Sequence, residues 1–166
     1  DLKRPHCHFN IRYEDGFAAV LPHLSTMKNA ATLFALSSAQ RLSKGDTTGA
    51  WQDTLNGIRL GEQLRTEPFL ISQLVRIAIL EMNFQTYWEG QINNQWSAEQ
   101  LTAFQETFQS IDLLAGMESA IRAERNMINH WFTSVAQGGT QTQGFDESIS
   151  SLDFFPAIFF YSNQYQ

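Results

Sequence analysis

From Leu24 to Val135 apolar side chains return every three or four residues, and that rhythm leaves little room for anything but helices. Leu24, Met27, Ala31, Phe34, Ser38 and Leu42 trace one face of a first helix, which Gly45-Asp46 ends. Thr47 to Arg65 repeats the pattern with Trp51, Leu55, Ile58 and Glu62. Gly57 and Gly61 sit four apart in that segment. A glycine inside a helix costs about 1 kcal/mol against alanine, so the pair predicts a face where another backbone comes close.

A third helix is expected from about Pro68 to Glu89. Thr66 would cap it, Glu67 would favour its N-terminus, Pro68 fits its first turn and Gly90 would stop it. The run Thr66–Phe84 is the most apolar of the chain, but Gln73, Arg76 and Glu81 interrupt it. It falls short of the roughly 20 apolar residues a membrane span requires. Ser97-Ala98-Glu99-Gln100 is a capping-box pattern opening a fourth helix, with Leu101, Phe104, Phe108 and Ile111 inward. Asp112 would cap a fifth, running to Ala136 on a stripe of Leu114, Met117, Ile121, Glu124, Ile128, Trp131 and Val135.

Short connections between these segments predict a single all-α domain, a bundle of about five helices in antiparallel hairpins over residues 22–137. Residues 1–21 carry Pro5 and Gly16 without a sustained period. They read as an extended N-terminal arm with a short helical turn around Phe17 to Val20. Residues 138–166 read as a polar loop, Gly138 to Gly144, followed by the aromatic tail "LDFFPAIFFYSNQYQ". The helix–turn–helix around Gly45-Asp46 also has the outline of a tetratricopeptide hairpin. Arg41 and Thr54 stand where that repeat has large aromatics, so only the hairpin geometry is shared.

Thirteen phenylalanines and four tryptophans exclude a disordered chain, and a net charge of −6 with scattered arginines gives no footprint for nucleic acid. With Cys7 as the single cysteine no intrachain disulfide can form. The chain opens on Asp1, so processing or trimming is expected, with any targeting segment removed.

"YEDGFAAVLPHL", "GDTTGAW", "EPFLISQLVRIAI", "AIRAERNM" and "FPAIFFYSNQ", in this order, span nearly the whole chain. Together they resemble a family of largely helical proteins from planctomycete and verrucomicrobial genomes, many carrying an N-terminal anchor or signal. Ala123 departs from the family's glycine before the Glu-Arg pair, and the tail is unusually rich in phenylalanine. The resemblance implies a bacterial cell envelope or periplasmic setting and a longer native chain. It transfers no activity and no catalytic residue.

Two constellations carry potential chemistry. His6-Cys7-His8, with His23 beyond, offers zinc-type ligands. In an extended arm, however, His6 and His8 point to one side and Cys7 to the other, and no CxxC or HxxxH spacing supports a site. The expectation is a polar arm with a buried cysteine, and no metal or other cofactor. Glu81 and Glu124 both fall on apolar stripes, as an acid/base pair or the start of a di-metal centre would require. Neither has the Glu-x-x-His spacing of di-iron bundles. Pairing with an arginine, among Arg59, Arg76, Arg122 and Arg125, is therefore the expected solution for each. Arg76 shares a side with Ser72, Gln73 and Asn83 and reads as the edge residue of its helix.

No GxSxG elbow or phosphate loop is present, Ser37-Ser38 and Ser150-Ser151 have no base beside them, and His130 reads as a helix C-terminal cation. The expected function is therefore a non-enzymatic structural or protein-interaction domain, whose aromatic tail folds back into the groove of the bundle or else docks on a protein partner or a second copy. The alternative is a helical enzyme or ligand-binding domain with Glu81, Glu124, Arg76 and Arg125 around an interior pocket.

Overall fold

A computed structural model describes residues 9–137, and these residues are all-helical. A 3-10 segment, Tyr13–Ala18, precedes five α-helices: α1 Pro22–Ser43, α2 Thr47–Glu62, α3 Leu70–Ile92, α4 Ala98–Gln109 and α5 Leu113–Ala136. The 3-10 segment lies slightly ahead of the turn expected in the arm. Two compact units divide the described residues: residue 9 with 22–122, and 10–21 with 123–137. The His6-Cys7-His8 cluster, the Gly138 to Gly144 loop and the aromatic tail lie outside the described residues.

In the larger unit α1, α2 and α3 pack pairwise against one another. Pro22 starts α1, where a missing N–H costs nothing and the fixed φ is already helical. Its buried row, Leu24, Met27, Ala31, Ser38 and Leu42, is the expected stripe, with Phe34 partly exposed. The crossing with α2 is stitched by polar atoms. Ser38 Oγ and Thr54 Oγ1 lie 2.8 Å apart and reach the Ala50 carbonyl oxygen at 2.8 and 3.0 Å. Both hydroxyls are fully buried, so each needs such a partner.

An aromatic cluster joins α4 to α3. Phe104 is fully buried and meets Tyr87 and Trp96 edge-on at centroid distances of 4.8 and 5.3 Å. Burying a phenylalanine completely stabilises the fold by about 2–3 kcal/mol. Trp96 donates its indole N–H to the Tyr87 carbonyl at 2.8 Å, which fixes the chain between the helices. The α4 capping box forms as expected: Ser97 accepts from the Gln100 N–H and Gln100 Oε1 accepts from the Ser97 N–H. Asp112 caps α5 by accepting from the Ala115 N–H at 2.9 Å.

Two helices depart from the expected faces. On α3 the buried residues are Ser72, Gln73, Val75, Arg76, Ile79, Asn83, Thr86 and Gly90, while the large apolar Phe84 and Trp88 are about half exposed. On this largely polar inward side Gln73 and Arg76 find partners on the α2–α3 turn and on α2, while Asn83 and Thr86 donate to carbonyls of their own helix. Gly57 and Gly61 make room for it: a Cβ at Gly57 would overlap the Asn83 amide, and one at Gly61 would press on Ile79. The close neighbours are thus side chains of α3 and not the backbone expected from the glycine spacing. The helix also starts at Leu70 behind Phe69, with no side-chain cap, so Thr66 does not cap it and Glu67 is withdrawn into the interior.

On α5 the buried residues of the first turns are Gly116 and Ala120, whereas Leu114 and Ile121 are exposed. The packed face is rotated by about one residue, roughly 100°, from the apolar stripe.

Candidate functional site

Arg76, fully buried on α3, organises the most connected polar cluster of the larger unit. Its Nε donates to Glu62 Oε1 at 2.9 Å and its Nη2 meets the same oxygen at 2.9 Å. Nη1 donates to Gln73 Oε1 at 3.2 Å and Nη2 also donates to the Asp112 carbonyl at 3.2 Å. Gln73 passes the polarity onward, its Nε2 donating to the carbonyls of Leu64 and Glu67, both at 2.9 Å. Glu62 at the end of α2 keeps its side chain 21% exposed, so the buried cation has a counter-ion that is itself partly in reach of water. Taking both ions fully out of water would cost several kcal/mol each, and this arrangement spares the carboxylate much of that.

The helix spacing explains the convergence. Gln73 and Arg76 are three apart on α3 and share a face, and α5 meets that face with Gly116. A Cβ built on Gly116 would stand 2.6 Å from Arg76 Nη1 and 2.6 Å from Gln73 Oε1. The small residues of α5 are therefore inward because a guanidinium and an amide occupy the space opposite. The cluster uses its donors on fixed acceptors and works as a clamp between α2, α3 and the start of α5.

The two glutamates of the alternative reading lie in different units. Glu81 is exposed on α3, because the inward side of the helix is the polar one. Glu124 is partly exposed on the part of α5 that belongs to the other unit. Arg76 pairs with Glu62 and not with Glu81, and it is the most deeply buried charge of its unit rather than an edge residue. Arg122 pairs with Glu118 one turn before it, and Arg59, Arg125 and His130 are exposed. Among the described residues no three His, Cys, Asp or Glu side chains converge as metal ligands would.

A second cluster was not visible in the sequence. His23 Nε2 and Glu67 Oε1, 44 residues apart, lie 2.7 Å from each other at 13% and 5% side-chain exposure. Phe9 stacks on the imidazole at 4.1 Å with the planes 16° apart. Glu67 Oε2 is buried without a hydrogen-bond partner, as are Ser72 Oγ, Asn83 Oδ1 and Trp51 Nε1.

The α1–α2 turn holds the main exposed electrostatic network. Arg41 bridges Asp46 at 2.6 Å and Asp53 at 2.9 Å, and Ser37 donates to Asp53 at 2.6 Å. The Gly49 N–H, then Arg41, holds the Asp46 carboxyl below its ordinary range, as suits the N-cap of α2.

No family model, curated protein or solved structure matches the chain. Among the described residues no helix is long and apolar enough to cross a membrane.

Proposed function

We propose that the domain is a non-enzymatic protein-interaction module which receives an apolar face of another protein on α3. The supporting observation is the row Phe84, Trp88 and Ile92, spaced four residues apart and 47%, 49% and 62% exposed. Three large apolar side chains in one helical row are a contiguous surface of the kind that marks an interface, and Phe and Trp are enriched in such contacts. The row lies on a helix anchored from its other side by Arg76 and Gln73, which gives a partner a rigid platform. An enzyme or ligand site between Glu81 and Glu124 has no comparable support, since Glu81 is exposed. The aromatic segment 152–165 offers a second apolar stretch by composition. The bacterial envelope setting belongs to the same proposal and rests on the resemblance alone.

Site-specific photo-crosslinking tests the reading. A benzophenone side chain at position 88 should give a discrete protein adduct in cells that naturally carry the chain. The same group at Gln52, an exposed polar position of α2, should not. Absence of an adduct at 88, or equal labelling at both positions, counts against the proposal.

A further inference from the structure

We infer that the occupant of the α3 face is a cationic amphipathic helix, an inference that rests on the reading of that face as an interaction surface. The charges of this chain are segregated. Residues 77–121, all within the larger unit, hold six acidic side chains and no lysine, arginine or histidine. The rest of the chain holds eleven of each sign, so the net charge of −6 belongs to this one stretch. The cations that bound it in sequence are both committed, Arg76 to Glu62 and Arg122 to Glu118.

α3 carries part of that charge among its exposed apolar side chains. From residue 81 to its end the exposed positions are Glu81, Phe84, Gln85, Trp88, Glu89 and Ile92. At 100° per residue they fall within an arc of about 140°, so carboxylates and apolar groups share one face. Phe84 rests edge-on against Phe108 of α4 at a centroid distance of 5.5 Å. That anchor is held in place before a partner arrives, which lowers the ordering cost of binding.

Electrostatics selects among the occupants such a face could take. A second copy would bring the same acidic stretch against its own, and like charges juxtaposed across an interface oppose association. An anionic membrane or a nucleic acid is repelled for the same reason. A purely apolar partner would bury Glu81 and Glu89 without a counter-ion, which is costly for a carboxylate. A helix with Lys or Arg beside its apolar stripe meets every requirement. Its cations reach Glu81 and Glu89, their aliphatic stems cover apolar surface, and a guanidinium or ammonium can stack on the Trp88 ring. Phe84 and Ile92 stand eight residues apart, about 12 Å along α3. Apolar residues at i, i+4 and i+7 of a partner helix span a matching length.

The test uses the full chain and three fluorescein-labelled synthetic peptides of about five helical turns, roughly 18 residues each. The first carries leucines at helical spacing with lysines on either side. The second has glutamate for every lysine, and the third scrambles the order of the first. Fluorescence anisotropy should show the first binding at least about 10-fold more tightly than the others, because ion pairs replace like-charge contacts, and weakening as salt is added. Glu81→Gln/Glu89→Gln should remove most of that preference at unchanged Tm, since both side chains are exposed. Trp88→Ala should weaken the cationic peptide about 10-fold or more, and Ile92→Ser, at a position 62% exposed, should weaken it in a variant that keeps its fold. If neither substitution changes binding, α3 is not the surface, and the interaction reading falls together with this inference. If both weaken binding but the acidic or scrambled peptide binds as tightly as the cationic one, only the cationic occupant falls. A native chain that sediments as a dimer and becomes a monomer with Ile92→Ser assigns the face to a second copy and overturns the cationic helix.

Discussion

Arg76 Nε and Glu62 Oε1 are 2.9 Å apart, one group wholly buried and the other reaching water, and α2 is locked to α3 through that contact. Removing the carboxylate strands a cation in the core. Glu62→Leu should destabilise the fold by about 3 kcal/mol, the usual cost of breaking a buried pair from one side. Glu62→Leu/Arg76→Met removes both charges and should be the more stable of the two variants. Urea midpoints with unchanged slopes would measure the difference; a double variant weaker than Glu62→Leu would show that the pair is not the source of the effect.

Gly116 separates helix propensity from packing. Alanine is favoured over glycine in a helix interior by about 1 kcal/mol. Here the added Cβ would stand 2.6 Å from both Arg76 Nη1 and Gln73 Oε1. Gly116→Ala should therefore destabilise the protein by about 1–3 kcal/mol, the cost of overpacking. A rise in Tm would mean that Arg76 has room to move aside.

Ser72 offers the opposite case. Its hydroxyl is fully buried with no hydrogen-bond partner, so it carries a desolvation cost with no return. Ser72→Ala should be neutral or stabilise by up to about 1 kcal/mol. A clear loss of stability in thermal or urea unfolding would point to a partner for that oxygen.

Asp46 links the α1–α2 turn to pH. Its folded-state carboxyl is held below its ordinary value, so its contribution to stability is full above the unfolded-state pKa and fades as pH falls through the folded-state value. Asp46→Ala should lower Tm at pH 7 and approach the native chain as the solution becomes strongly acidic. Melting curves from pH 7 to pH 2 test this, and a gap that persists at the acid end would remove the cap from the explanation.

The helices were legible wherever local chemistry decides them. Ser97 and Gln100 lie within one turn of each other, and the α1 row from Leu24 to Leu42 needs only its own spacing to be read. The faces of α3 and α5 were not legible, because an apolar period counts greasy side chains and is blind to the acceptors that let polar ones go inside. Arg76 finds its acceptors 14 residues back at Glu62 and 36 residues ahead at Asp112. His23 finds Glu67 at a separation of 44. The pairing of Arg76 with Ser72, Gln73 and Asn83 on one side of α3 was visible in the spacing. That this side turns inward was not, although Gly57 and Gly116 are, in hindsight, its complement.

The first half of α5 bears small residues where it touches the bundle and large ones where it does not. A survey of tolerated substitutions along it would therefore invert the usual expectation for an amphipathic helix. Positions 116 and 120 would refuse almost every enlargement, while 114 and 121 would accept a wide range of polar replacements without loss of fold. Should 114 and 121 prove as intolerant as 116 and 120 when the protein is selected for function rather than folding, the constraint on them would come from outside this chain.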